Sequence, residues 1–211
     1  NYMSEIKVRA QYEQLADIYD LRWRKYINNT LTFLYSWEQI DSQSTVLDVA
    51  CGTGEFERLL LDKNPMQRII GVDISEKMLD IARKKYRVYS NVEFHQTSAN
   101  SIPFASHSFD VAVCANAFHY FEQPLVALSE IKRVVKPNGK LIILDWSKDF
   151  LVCRICDWIL QIFDPAHQQC YTQKELHQLL ISADFKINRA AMVRFGTIWG
   201  LMVVTALPDK R

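Results

Sequence analysis

The stretch VLDVACGTGEFERLL, Val46–Leu60, decides how the rest of this 211-residue chain is read. A short β-rich run, Thr45–Ala50, carries one acid, Asp48. Two glycines follow, Gly52 and Gly54, and then a helical run, Glu55–Leu61. Glycine lets a backbone approach a ligand with no β-carbon in the way. The same pair would also serve a tight strand-to-helix turn, so the neighbouring segments have to decide between the two.

Outward from this stretch, strands and helices alternate. RIIGVD (Arg68–Asp73) reads as a second strand, and Ser75 as the N-cap of a helix over Glu76–Arg87. NVEFHQT (Asn91–Thr97) is a third strand. FDVAVCAN (Phe109–Asn116) is a fourth, nearly continuous in apolar residues, as a strand buried on both faces should be. Pro124 opens a helix to Val135, KPNGK reads as a turn, and LIILDW (Leu141–Trp146) as a fifth strand. Before the quoted stretch, residues 5–40 repeat apolar residues at three and four without Gly or Pro, which predicts helices. After Trp146 come helical stretches at Leu151–Phe163 and Thr172–Ala183. FKINRAAMVRF and TIWGLMVVTAL then read as strands joined by a turn at Phe195–Thr197. The expected fold is α/β: a Rossmann-like, doubly wound, mostly parallel seven-stranded sheet, closed by an antiparallel hairpin strand. No repeat or linker divides the chain, so one domain is expected over residues 1–211, in three parts: 1–40, 41–146 and 147–211.

Composition narrows the function classes. The chain is 49% hydrophobic and 23% charged, with a formal charge of +1, so no bulk field argues for nucleic acid or a membrane surface. No apolar run reaches membrane-span length, and NYMSEIKVRA has no signal-peptide apolar region. Five scattered cysteines, an odd number, predict a reduced, cytoplasmic setting. Cys153 and Cys156 share one face of an amphipathic helix, where packing explains them; a three-thiolate metal site with Cys170 is the alternative, and no metal is expected.

A parallel sheet binds ligands at the carboxyl ends of its strands. Asp48, Gly52 and Gly54 fall at the end of the first strand. Asp73 ends the second, about 20 residues on, where an acid can take both hydroxyls of a ribose. Glu57 stands where a dinucleotide fingerprint has its third glycine, beside Glu55, and two carboxylates oppose a pyrophosphate at a helix N-terminus. No Gly-Lys-Ser/Thr follows, which excludes a P-loop. The ligand is therefore expected to carry an adenosine and no phosphate at the loop. S-adenosylmethionine fits, because its sulfonium tolerates nearby acids.

VLDVACGTGEF, IIGVDISEKMLDIAR, SIPFASHSFDVAVCANAFHYF and LSEIKRVVKPNGKLIILD resemble, in order and spacing, successive motifs of class I S-adenosylmethionine-dependent methyltransferases. The subgroup they resemble most is the small UbiE-like, type-11 kind, over residues 10–146. The resemblance implies that Ala50, Cys51, Gly52 and Gly54 pass under the methionyl part of the cofactor, with Asp48 helping to hold its amino group. It implies that Asp73 takes the ribose hydroxyls, that Ile74 and Met78 line the adenine, and that Ala99 and Asn100 close that side. Cys114, Ala115 and Asn116 would lie beside the sulfonium, and Tyr12 and Tyr19 in N-terminal helices would cover the site. One departure stands out: many relatives have Asp where this chain has Ser98, whose hydroxyl would accept from the adenine amino group more weakly.

Methyl transfer needs alignment and exclusion of water, and a base only where the nucleophile starts protonated. His119 is the expected base or acceptor-orienting group, and His167 a second candidate. Trp23, Trp146, Trp158, Tyr171 and Trp199 suggest an apolar or planar small-molecule acceptor, such as a quinone-like ring; each would also serve a core. Arg22, Arg24 and Lys25 read as a solvated helix face, or as a contact for an anionic group. The expected assembly is a monomer or homodimer without nucleic acid. Two alternatives remain: a catalytically silent protein that binds S-adenosylmethionine, and an NAD(P)-dependent oxidoreductase, against which the missing third glycine argues.

Overall fold

The computed structural model describes residues 3–164, 167–195 and 199–209. Its centre is β1 (Thr45–Val49), with four of five residues buried. β1 pairs in parallel with β2 (Arg68–Asp73) on one side and β4 (Phe109–Ala115) on the other. β3 (Val92–Gln96), β5 (Val135–Trp146), β6 (Phe185–Phe195) and β7 (Trp199–Pro208) complete a seven-stranded sheet of order β3-β2-β1-β4-β5-β7-β6. β7 runs antiparallel between β5 and β6, as the hairpin reading expects. The turn at Phe195–Thr197 lies, beyond Phe195, outside the described residues.

Strand residues alternate between two cores. Val46, Ile69, Val111 and Val113 join one apolar cluster; Leu47, Ile70, Ala112 and Cys114 join the other. Because both faces are covered, both phases of the two-residue period are apolar, which is why these strands read as continuous apolar runs. The first cluster is closed by α1 (Met3–Trp37), α2 (Glu55–Lys63) and α3 (Glu76–Tyr86). The second is closed by α4 (Pro124–Val134) and α6 (Gln173–Ser182). A further helix, α5 (Leu151–Phe163), leaves Leu151, Trp158 and Phe163 exposed.

Two expectations are corrected. The N-terminal helices are one helix of 35 residues, since nothing in it breaks the periodicity. KPNGK is not a turn before β5 but lies inside it: pairing with β4 steps from Phe109↔Val135 to Val111↔Lys140, so the intervening residues bulge within an otherwise continuous strand.

Gly54 caps α2 with φ at 81°, and a β-carbon there would lie 2.6 Å from the Tyr86 ring. The Tyr86 hydroxyl donates to the Gly54 carbonyl, so the ring cannot simply move away. Gly54→Ala is expected to lower stability by about 2 kcal/mol, read as a lower urea midpoint at unchanged slope. Gly52, at φ 56°, has nothing within 4 Å of its would-be β-carbon, so Gly52→Ala should cost only about 1 kcal/mol of backbone strain.

Candidate functional site

After β3 the chain crosses to the far side of β1 to form β4, so the sheet switches direction at the carboxyl ends of β1 and β4. A cleft of about 840 Å³, counting the part open to solvent, lies there under α1. A smaller cavity of about 440 Å³ adjoins it and shares Tyr19, Ala50, Gly52, Ala115 and Asn116 as walls.

The floor is built by the β1–α2 turn. Cys51 donates its amide to the Val72 carbonyl, tying the turn to β2. Asp73 accepts the Gly52 amide at 2.9 Å with one oxygen and the Ser75 amide at 2.8 Å with the other. Burial pushes the Asp73 carboxyl up, opposed by the amides of Ser75, Gly52 and Ile74. Ser75 caps α3 through the Met78 amide, as read from the sequence. Ala50 and Asn116 border the cleft at φ of 60° and 56°, conformations that strain a residue with a β-carbon. Asn116 is held there by three bonds: its amide donates to Leu144, its side-chain oxygen accepts from Tyr26, and its side-chain nitrogen donates to Thr30.

The roof is aromatic. Tyr12 lies 5.8 Å from Tyr19 and 5.6 Å from Tyr120, ring centre to ring centre. Burial raises the Tyr12 phenol and pushes Tyr120 up to about 12, so both remain neutral. One end wall is formed by Ile74, Met78, Ala99, Asn100 and Glu5. Asp48 and Cys51 face the smaller cavity.

The charged residues that line the two spaces are Glu5, Asp73, Glu122, Asp48 and Glu55; among the described residues no Lys, Arg or His joins them. Glu57 adds a further acid beneath the floor. The sequence reading set it against a pyrophosphate at the loop. It instead turns inward, fully buried, and no described donor reaches either oxygen. Burial and the neighbouring Glu57 raise the Asp48 carboxyl well above its usual value, and burial lifts Glu57 to about 7.

Five residues singled out from the sequence do not line the cleft. Gly54 faces Tyr86, and Cys114 lies in the core. Ser98 stands behind the wall and donates to Glu5. His119 is buried; Asp145 accepts from its ring at 2.6 Å and from its amide at 2.8 Å, Trp146 stacks on it at 5.0 Å, and Tyr120 packs against it at 4.1 Å. His167 pairs with Asp157 at 2.7 Å, and its ring lies 5.5 Å from that of His119. The aromatics separate as well: Tyr171 is core, Trp158 is solvent-exposed, and Trp199 stands edge-on to Trp146.

The three-thiolate alternative is corrected. Among the described residues Cys170 clusters with Asp157 and His167, and Cys153 bonds the Gly200 carbonyl. Asp157 is already met by His167, the Cys170 amide, Lys148 and Gln161, so the cluster reads as a fastening for residues 167–171. Sequence reasoning missed Glu5, Val8, Tyr120 and Glu122. Tyr120 and Glu122 carried a signal, since they follow a strand whose carboxyl end faces the cleft.

With this geometry in place, the comparisons are specific. Residues 47–143 match the methyltransferase domain family. An uncharacterized methyltransferase-like protein of Schizosaccharomyces pombe is 42% identical over 175 residues, 69% of this chain and 66% of that protein. A demethylmenaquinone methyltransferase of Thermotoga maritima is 34% identical over 145 residues, 64% of this chain and 59% of that protein. The chain thus spans less than two thirds of the length of these curated relatives. A solved S-adenosylmethionine-dependent methyltransferase from Thermotoga maritima superposes with a TM-score of 0.77 at 20% identity, covering 96% of this chain and 100% of that one, and so shares the fold. The class these observations define is that of nucleoside-cofactor enzymes with a Rossmann-like sheet. Within it, residues 47–143 carry a methyltransferase domain, and the relatives and structural neighbours support a class I S-adenosylmethionine-dependent methyltransferase of the UbiE-like type. No described helix is long and apolar enough to cross a membrane.

The buried acid pair sets a pH signature. Folded Glu57 keeps its proton to about pH 7, whereas the unfolded chain releases it near the ordinary value of 4.5. The native state therefore binds more protons across that window, and stability falls as pH rises through it. Glu57→Gln is expected to flatten this slope. Thermal unfolding should show little difference at pH 4 and a variant more stable than wild type, by about 3 kcal/mol, at pH 8.

Proposed function

We propose that this protein transfers the methyl group of S-adenosylmethionine to a small apolar acceptor. The observation that carries the reading is a cleft at the switch point whose charged lining, among the described residues, is entirely carboxylate, above an unobstructed Gly52. A pyrophosphate would meet repulsion there; a sulfonium and an ammonium would not. The cofactor supplies an activated methyl group on sulfur.

In this reading, Asp73 takes the ribose hydroxyls, and Ile74, Met78 and Ala99 enclose the adenine. Ala50, Cys51 and Gly52 run under the methionyl chain, Asp48 holds its ammonium, and Ala115 and Asn116 flank the sulfonium. Gly54 shapes the turn, Cys114 backs the wall, and Tyr12 and Tyr19 exclude water from above. His119 is the proposed base. Its Nδ1–H donated to Asp145 leaves Nε2 with a bare lone pair, and Nε2 has no described partner. An acceptor proton reaches it past Tyr120, which lines the cleft and packs against the imidazole.

The acceptor class is a quinone-like ring, a choice supported by the demethylmenaquinone methyltransferases among the relatives and by the aromatic rings of Tyr12, Tyr19, Tyr120 and Phe121 that line the cleft. The reading includes one domain over residues 1–211, in the cytoplasm, as a monomer or homodimer.

Calorimetric titration with S-adenosylhomocysteine, with NAD in parallel, tests the cofactor. Saturable binding of the former alone is expected. Asp73→Ala should weaken it by about 100-fold, the scale of a lost charged hydrogen-bond pair. Gly52→Leu should abolish it, by filling the space over the floor. Unchanged affinity in both variants, or binding of NAD alone, would overturn the reading. Turnover of labelled cofactor with a soluble demethylated naphthoquinol separates catalysis from silent binding.

A further inference from the structure

The first turn of α1 brings to the cleft a carboxylate that the local sequence around Ser98 lacks. Glu5 Oε1 accepts from the Ser98 hydroxyl at 2.5 Å and from the Asn100 side-chain nitrogen at 3.0 Å. Ser98 Oγ in turn accepts the Asn100 amide at 3.1 Å. This network joins residues more than 90 positions apart in the chain. Its two donors orient the carboxylate through one oxygen. The other oxygen, Oε2, receives no hydrogen bond from a described residue, and Glu5 has no salt-bridge partner among them. Glu5 lines the cleft at the wall shared with Ile74, Met78 and Asn100.

We infer that Glu5 reads the purine of the cofactor, its Oε2 accepting a hydrogen bond from the exocyclic 6-amino group. The inference rests on the reading above in which Ile74 and Met78 enclose the adenine. A carboxylate fixed in advance and left with one open acceptor favours an N–H donor and repels an oxygen. Glu5 therefore selects a 6-amino purine over a 6-oxo purine. It also revises the role expected of Ser98. The Ser98 hydroxyl does not accept from adenine; it donates to Glu5 and aims it. An aspartate at position 98 would set a second carboxylate against Glu5, so the serine and the glutamate belong together.

The test is competitive binding of S-adenosylhomocysteine and S-inosylhomocysteine to the intact protein; the second replaces the 6-amino group by an oxygen and carries a proton on N1. Wild type is expected to prefer the adenosine form by at least ~30-fold, the range for a charge-assisted hydrogen bond. In Glu5→Ala the preference should fall to within about 3-fold, chiefly through weaker binding of the adenosine form. Glu5→Gln, which keeps the side-chain volume and is checked for a wild-type circular dichroism spectrum, should fall between. Ser98→Asp alone should weaken binding, and the Glu5→Ala/Ser98→Asp double variant should recover the preference for the amino form. An unchanged preference in Glu5→Ala and Glu5→Gln, with wild type binding S-adenosylhomocysteine normally, overturns the assignment of Glu5 and leaves the cleft's cofactor intact. Failure of wild type to bind S-adenosylhomocysteine overturns both.

Discussion

The bond from the Gly52 amide to the Asp73 carboxylate ties together the ends of two adjacent parallel strands, and the cleft is shaped around it. The bond needs a left-handed backbone at Gly52, which glycine tolerates, and a buried acid, which the Ser75 amide also satisfies. Everything above this clasp is secured from outside it. Lys85 donates to Asp20, to the Thr53 carbonyl and to Glu55, and Thr53 donates to Asp20. Helix α1, the glycine turn and α3 thus share one ammonium. The acids that face inward, Asp48, Asp73 and Glu57, form no salt bridge among the described residues, and burial raises their carboxyls. Their ionisation sites are consequently sensitive to what binds: a cationic ligand favours the charged forms that an empty cleft disfavours.

Much of this was legible in the sequence because it is local. The bounds of β2 and α5 coincide with the runs read from RIIGVD and from Leu151–Phe163, since two-residue and helical periods change sharply there. The Ser75 cap follows from side-chain chemistry within three residues. Parallel order followed from alternation, and the ligand edge from the handedness of crossovers. What escaped depended on distance along the chain. Nothing near Glu5 marks it as a neighbour of Ser98; only the packing of α1 brings them together. The direction of Glu57 is set by the rotation of α2 on the sheet, and a carboxylate at a helix start gives no sign of pointing inward. KPNG has turn chemistry, yet the strand continues through it because pairing with β4 resumes at Lys140 and holds from there. His119 occupies the expected edge, but its exposure is decided by Trp146 and Tyr120, which only tertiary packing lays against it.

The region around His119 and His167 is built on a different plan from the cleft. Its polar groups are consumed in fastening rather than left open. Asp145 holds His119 by ring and backbone, and Asp157 gathers His167, Cys170, Lys148 and Gln161 around one buried carboxylate. Both histidines keep one unpartnered nitrogen, so this region is rigid yet retains acceptor capacity. Rigid surroundings with a few open acceptors suit alignment chemistry, where placement contributes more than proton transfer.

Helix α1 touches the protein along its whole length: Glu5 at Ser98, Asp20 at Lys85, Tyr26 at Asn116 and Trp146, and Trp37 at Thr205. Its 35 residues make a rod about 52 Å long, without a glycine or proline to bend it. Such a rod behaves as a lever. The turn that carries Tyr12 cannot be raised alone without breaking helical hydrogen bonds, so a displacement there would be carried along the rod toward the contacts of Tyr26 and Trp37.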